Sequence, residues 1–142
     1  MSRIEKYGEP VFAKLSERFH KKVYEESEAW FRDIFKSSPR DVAARNFQEY
    51  LIQRFGGACS YTDRRGNTSI MNRHSNFNIS RPVAERWLEI MEETLDEMEE
   101  FDEESNEKMM LFFRFMAYTL VVNAEALFEA SRCSGMFSHL QE

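Results

Sequence analysis

The chain is predicted to fold as an all-α domain. Apolar residues recur at helical spacing along four long segments. Only 5 Gly and 3 Pro interrupt 142 residues, which leaves few obligatory breaks. The apolar supply is 13 Phe and 8 Met, while the β-branched residues that favour strands are sparse.

The first long helix is expected over residues 11–26. Phe12, Leu15, Phe19 and Val23 fall on one face. His20 sits beside that stripe, on the side of Ala13 and Tyr24, where it can point inward. After an acidic run, Trp30, Phe31, Ile34 and Phe35 make a second, short helical piece. Ser38 then offers a hydroxyl cap and Pro39 the first position of a helix running to Phe55. Ala43, Phe47, Tyr50, Leu51 and Phe55 line its inner face, and Gly56 stops it.

Residues 61–79 show no sustained period. Arg64 to Asn67 reads as a turn, and residues 71–76 could form a turn or two of helix around His74. So long a linker in a small helical domain is uncommon unless it serves a function. Ser80 caps the next helix, whose inner face carries Ala84, Trp87, Leu88, Met91, Leu95 and Met98. The acidic stretch 96–107 reads as a solvated helix end and loop, since it lacks the oxygen-ligand spacing of a calcium loop. Ser105 opens the last helix, with Met109, Phe112, Phe113, Met116, Leu120 and Leu127 inward. The expected division is an N-terminal extension at 1–10, one domain at 11–130, and a mobile C-terminal tail at 131–142.

A net charge of −6 and a pI of 5.2 argue against nucleic acid or an anionic membrane as partner. The run 109–122 is too short to span a bilayer comfortably and contains Arg114. The first ten residues lack a hydrophobic signal core. Cys59 and Cys133 form no CxxC pair and read as reduced thiols. Together these features suggest a cytoplasmic protein.

The chain offers no Gly-rich phosphate loop, no HExxH, no Cys/His zinc spacing and no G-x-S-x-G elbow. Glu17 to His20 matches the ExxH of di-iron bundles, but no other histidine completes a second copy. Taken alone, the Phe and Met stripes read as core, and His74 as a structural or exposed histidine. Haem is a ligand the residues would allow, because it needs helices on both faces, apolar rings and a neutral imidazole on its iron.

An ordered set of residues supplies a family resemblance. Gly56-Gly57, Tyr61, Gly66, Arg73-His74, Phe77, Ile79, Arg86-Trp87-Leu88, Met91 and Leu95 resemble the second group of truncated (2-on-2) haemoglobins, found in bacteria and plants. The likeness continues in Phe19, Trp30-Phe31, Phe35, the stretch 50–54, Lys108-Met109-Met110 and Phe112-Phe113-Arg114, and these last segments look most like the plant-type members. It runs from about residue 11 to 123.

The resemblance implies a two-over-two helical sandwich around haem b, with His74 as the proximal iron ligand. Phe35 would pack on the porphyrin, Phe47 and Ala43 would lie on the distal helix, and Trp87 would offer its indole N–H to a distal ligand. Tyr61 and Arg73 become candidates for the propionates, and Phe77 for the pocket wall. The family usually carries Phe-Tyr where this chain has Phe19-His20. His20 could therefore donate a hydrogen bond to O2, bind the iron as a sixth ligand, or only pack at the pocket edge.

The function implied is reversible binding of O2, NO and CO for transport, sensing or NO detoxification, by a monomer or homodimer. NO dioxygenase or weak peroxidase turnover would draw on an external electron donor. The alternative from another class is a cofactor-free helical interaction module.

Overall fold

A computed structural model of the chain describes residues 3–57 and 79–132, with side chains of the last helix described as far as 122. Among the described residues every regular element is a helix. In order they are α1 (Arg3–Tyr7), α2 (Glu9–Tyr24), α3 (Ala29–Arg32), α4 (Arg40–Arg54), α5 (Arg81–Glu97) and α6 (Glu103–Arg132). Helix α2 packs along α4, α5 packs along α6, and α2 also meets α5. The four long helices thus form two pairs laid one against the other.

The core lies where the predicted stripes converge. Phe12, Leu15, Phe19 and Val23 of α2 are buried, with Leu51 of α4, Leu88, Met91 and Leu95 of α5, and Met109, Phe113 and Met116 of α6. Full burial of each such side chain contributes about 1.5–3 kcal/mol before ordering costs. No helix among the described residues is long and apolar enough to cross a membrane.

Helix ends follow local chemistry, with two departures from expectation. Ser80 caps α5 by accepting from the Val83 N–H at 3.4 Å. Gly56, at φ +107°, ends the α4 segment in the left-handed region that glycine tolerates. Ser38 does not cap α4. Pro39 holds the cap position, and the Ser38 carbonyl instead accepts from the Tyr24 hydroxyl at 3.0 Å. Ser105 does not open the last helix either. Asp102 does, its Oδ1 accepting from the Ser105 N–H at 2.7 Å, as a carboxylate suits the positive helix end.

The residues expected as an N-terminal extension carry α1 and the first turn of α2. The Ile4 N–H bonds the Phe55 carbonyl at 3.1 Å, and the Tyr7 hydroxyl donates to Ser105 Oγ at 2.8 Å. The acidic stretch that begins at the end of α5 meets three lysines, in the pairs Lys6–Asp102, Lys14–Glu100 and Lys22–Glu97. It also buries Met98 and Phe101, so it is a packed corner as well as a solvated end. The turn expected at 64–67, the helical turns expected around His74, Cys59 and the tail beyond 132 lie outside the described residues.

Candidate functional site

Aromatic rings from all four long helices meet at one place. Phe19 and His20 come from α2, Phe47 from α4, Trp87 from α5 and Phe113 from α6. Trp87 lies edge-on to Phe19 with centroids 4.8 Å apart, and its ring meets Phe113 at 5.7 Å and Phe47 at 6.1 Å. Phe47 in turn meets Phe19 at 5.7 Å and His20 at 5.5 Å. Edge-to-face pairs of this kind place positive ring edges on negative faces and fix relative orientation. The helical phase explains the convergence: Phe19 continues the buried stripe of α2, and Trp87 precedes the buried Leu88 on α5.

The cluster extends from His20 toward α3. The His20 and Tyr24 rings stack at 6.3 Å, Tyr24 meets Phe35 at 6.5 Å, and Phe35 meets the buried Phe31 at 5.1 Å. Phe35, expected on a cofactor face, therefore joins the same ring system. Ala43 and Phe47 are both partly buried on α4.

Two polar atoms stand out in this apolar setting. The Trp87 indole N–H is a donor and bonds no described residue. His20 is 9% exposed. Its Nδ1 lies 2.8 Å from the Ser16 carbonyl oxygen, one helical turn back, and its Nε2 bonds no described residue. Burial pushes the His20 imidazolium down to about 4, the Ser16 carbonyl opposes that shift, and Arg40 adds to it. The imidazole is neutral at pH 7.

An ion pair behind the cluster sets the position of α5. Glu26 is buried, and its Oε2 accepts from Arg86 Nε at 2.8 Å and pairs with Nη2 at 2.6 Å. Its Oε1 accepts from the Glu28 N–H at 3.3 Å, while Arg32 bonds the Glu26 carbonyl at 2.8 Å. Two guanidinium nitrogens of the residue next to Trp87 thus converge on one carboxylate oxygen.

The structure brings His20, Phe35, Phe47 and Trp87 into one ring system, with Ala43 on the helix that carries Phe47. Tyr61, Arg73, His74 and Phe77 lie outside the described residues. Sequence reading passed over Ser16, which is fully buried and whose hydroxyl donates to the Ala44 carbonyl of α4 at 2.7 Å. The available signal was its place four residues before His20, the spacing at which helical side chains meet.

The known proteins this chain is similar to all point one way. A family model described as bacterial-like globin matches residues 5–121. Group 2 truncated hemoglobin 3-1 of Lotus japonicus is 40% identical over 122 residues, covering 86% of this chain and 73% of that one. Two-on-two hemoglobin-3 of Arabidopsis thaliana is also 40% identical over 122 residues, covering 86% and 70%. The solved structure of a truncated oxygen-avid haemoglobin from Bacillus subtilis superposes with a TM-score of 0.76 at 26% identity, over 85% of this chain and 99% of that one. A thermostable hemoglobin from the actinobacterium Thermobifida fusca gives 0.78 at 24% identity, covering 85% and 97%, and bears on the fold alone.

Proposed function

The chain belongs to the bacterial-like globin family, among the group 2 truncated haemoglobins, and on that premise we propose that it is a haem b protein whose His74 holds the iron from the proximal side. It reversibly binds O2, and NO and CO compete for the same position. The observation that carries this reading is the four-helix ring cluster with two nitrogens, His20 Nε2 and Trp87 Nε1, that bond no described residue. Those residues fit a haem: flat apolar rings suit a porphyrin, and a neutral imidazole whose Nε2 bonds no described residue is of the kind that haem iron accepts.

When bound, the haem supplies an iron at which a diatomic ligand coordinates. The protein supplies the rest. Phe19, Phe47 and Phe113 keep water from the distal side. Trp87 aims a donor into a low-dielectric space, where a hydrogen bond to a polarised ligand is stronger than in water. Phe35 would pack against the porphyrin, and Ala43 and Phe47 would stand on the distal helix. Tyr61 and Arg73 would hold the propionates, and Phe77 would line the pocket. The B. subtilis relative is described as oxygen-avid, which agrees with O2 as a ligand. We place the protein in the cytoplasm, as a monomer or homodimer that draws on an external donor to keep its iron ferrous.

The test is direct. Purified protein is expected to be red with a Soret band, and His74→Ala to lose stable haem while keeping its helical circular dichroism. Folded, colourless protein that ignores added haemin would overturn the reading and favour a cofactor-free helical module.

A further inference from the structure

The hydrogens around His20 can be counted. The Ser16 carbonyl oxygen is an acceptor only, so the His20 Nδ1 lying 2.8 Å from it must carry the proton. Ser16 Oγ lies 3.4 Å from the same nitrogen and might have supplied the hydrogen instead. It does not, because its one hydrogen goes to the Ala44 carbonyl, again an acceptor only, at 2.7 Å. Both contacts therefore see Nδ1–H as the donor. The ring neighbours of His20 among the described residues are Phe19, Tyr24 and Phe47, and no described carboxylate pairs with it. Nothing in that setting would hold a second proton on the ring. Nε2 is left with a lone pair that bonds no described residue.

We propose that this geometry makes His20 an internal ligand for the haem iron, one that competes with diatomic ligands, and not a hydrogen-bond donor to them. The proposal rests on the haem reading above. A bare Nε2 can coordinate a metal but has no hydrogen to offer O2. A hydrogen bond from the other ring nitrogen to a carbonyl also orients the ring and raises the basicity of the free nitrogen, as it does for metal-binding histidines. Ser16 is the positioning residue: its carbonyl selects the tautomer, and its hydroxyl ties that turn of α2 to α4. The donor to a bound ligand is then Trp87 alone among the described residues of the cluster. A diatomic ligand must displace His20 before it binds, so the apparent affinity falls by the fraction of time His20 is released.

The experiment compares the wild type with His20→Leu and His20→Gln, all haem-loaded and ferrous. Gln keeps a polar side chain and an amide donor but has no basic nitrogen. Wild type without gas is expected to show a low-spin, six-coordinate spectrum, and both variants a high-spin, five-coordinate one. O2 association should rise in both by about tenfold or more, as expected when an internal competitor is removed. O2 release should stay within about twofold, because no donor has been lost. Nitrogen-15 NMR of the carbonmonoxy wild type should find His20 protonated at Nδ1 and bare at Nε2. A red wild type that is already five-coordinate, or a proton on Nε2, overturns the proposal and leaves haem binding intact. Faster O2 release in His20→Leu but not in His20→Gln overturns it in favour of a donor role. A chain that takes up no haem overturns this inference together with the reading beneath it.

Discussion

Trp87 shows how one side chain can hold a site together and act in it. Its ring touches Phe19, Phe47 and Phe113, one from each of the other three long helices. Its N–H bonds no described residue. A Trp87→Phe change keeps an aromatic body and removes only the donor. A neutral hydrogen bond has a net worth of about 1 kcal/mol, more in a water-poor site, so O2 release should speed by about five- to twentyfold. Stopped-flow replacement of O2 by CO measures it, and an unchanged release rate would remove Trp87 from the donor role. His74→Ala tests the opposite side of the haem, with loss of the Soret band as its readout.

Helices α4 and α5 carry Phe47 and Trp87 of the ring cluster, and both are tied down at one end by specific contacts. Past α4, the Gly57 N–H bonds the Ile52 carbonyl at 2.7 Å, so the chain passes close over the helix it has just left. A Cβ at Gly57 would come within 2.5 Å of Ile52 Cγ2 and 2.9 Å of its carbonyl oxygen. Because that oxygen is backbone, relief would need a shift of the whole turn. Gly57→Ala should destabilise the fold by about 1–3 kcal/mol, read from denaturant midpoints. The turn also leads into the stretch that carries His74, so haem should leave that variant faster. At α5 the fastening is Glu26 to Arg86. Glu26→Gln keeps the shape and removes the charge, with an expected cost of about 2 kcal/mol, typical of a hydrogen bond to a charged group. Thermal melts would check it, and a neutral result would make the pair dispensable.

Across the whole molecule, the same carboxylate links stability to pH. Burial pushes the Glu26 carboxyl up, but the Arg86 hydrogen bonds and charge and the Glu28 N–H outweigh it and hold it below its ordinary 4.5. The folded state thus binds the proton less readily than the unfolded chain does. Its contribution is fully present above the unfolded value and is lost as pH falls through the lowered one. The Tm gap between wild type and Glu26→Gln should therefore be widest near pH 7 and narrow as pH falls below 4.5. A gap that does not change with pH would mean that packing, and not charge, sets it. Lys6–Asp102 and Lys14–Glu100 also lower their carboxylates, but they are surface pairs, which salt screens and which add little.

Much of this architecture was legible from residue types and spacing. The stripe Phe12, Leu15, Phe19, Val23 needs only helical periodicity to be read as one buried face, and Ser80 and Gly56 mark helix ends through their own backbone chemistry. Ser38 and Ser105 were expected to begin helices, but Pro39 holds the cap position of α4 and the Asp102 carboxylate receives the Ser105 N–H at the start of α6. Contacts from elsewhere in the chain meet both serines: the Tyr24 hydroxyl donates to the Ser38 carbonyl, and the Tyr7 hydroxyl to Ser105 Oγ.

The histidine at position 20 divides the two kinds of information most clearly. Its identity, and its departure from the usual tyrosine, are plain in the chain. Whether it donates a hydrogen bond or offers a lone pair depends on where one hydrogen sits. The Ser16 carbonyl one turn back calls for that hydrogen on Nδ1, and the Ser16 hydroxyl does not compete, because it donates to a carbonyl of α4, 28 residues away. Periodicity and capping act over a few residues and can be read along the chain. A tautomer is set by every donor and acceptor around the ring, and one of them here, the Ser16 hydroxyl, has its hydrogen directed by a carbonyl that arrives only when the helices pack.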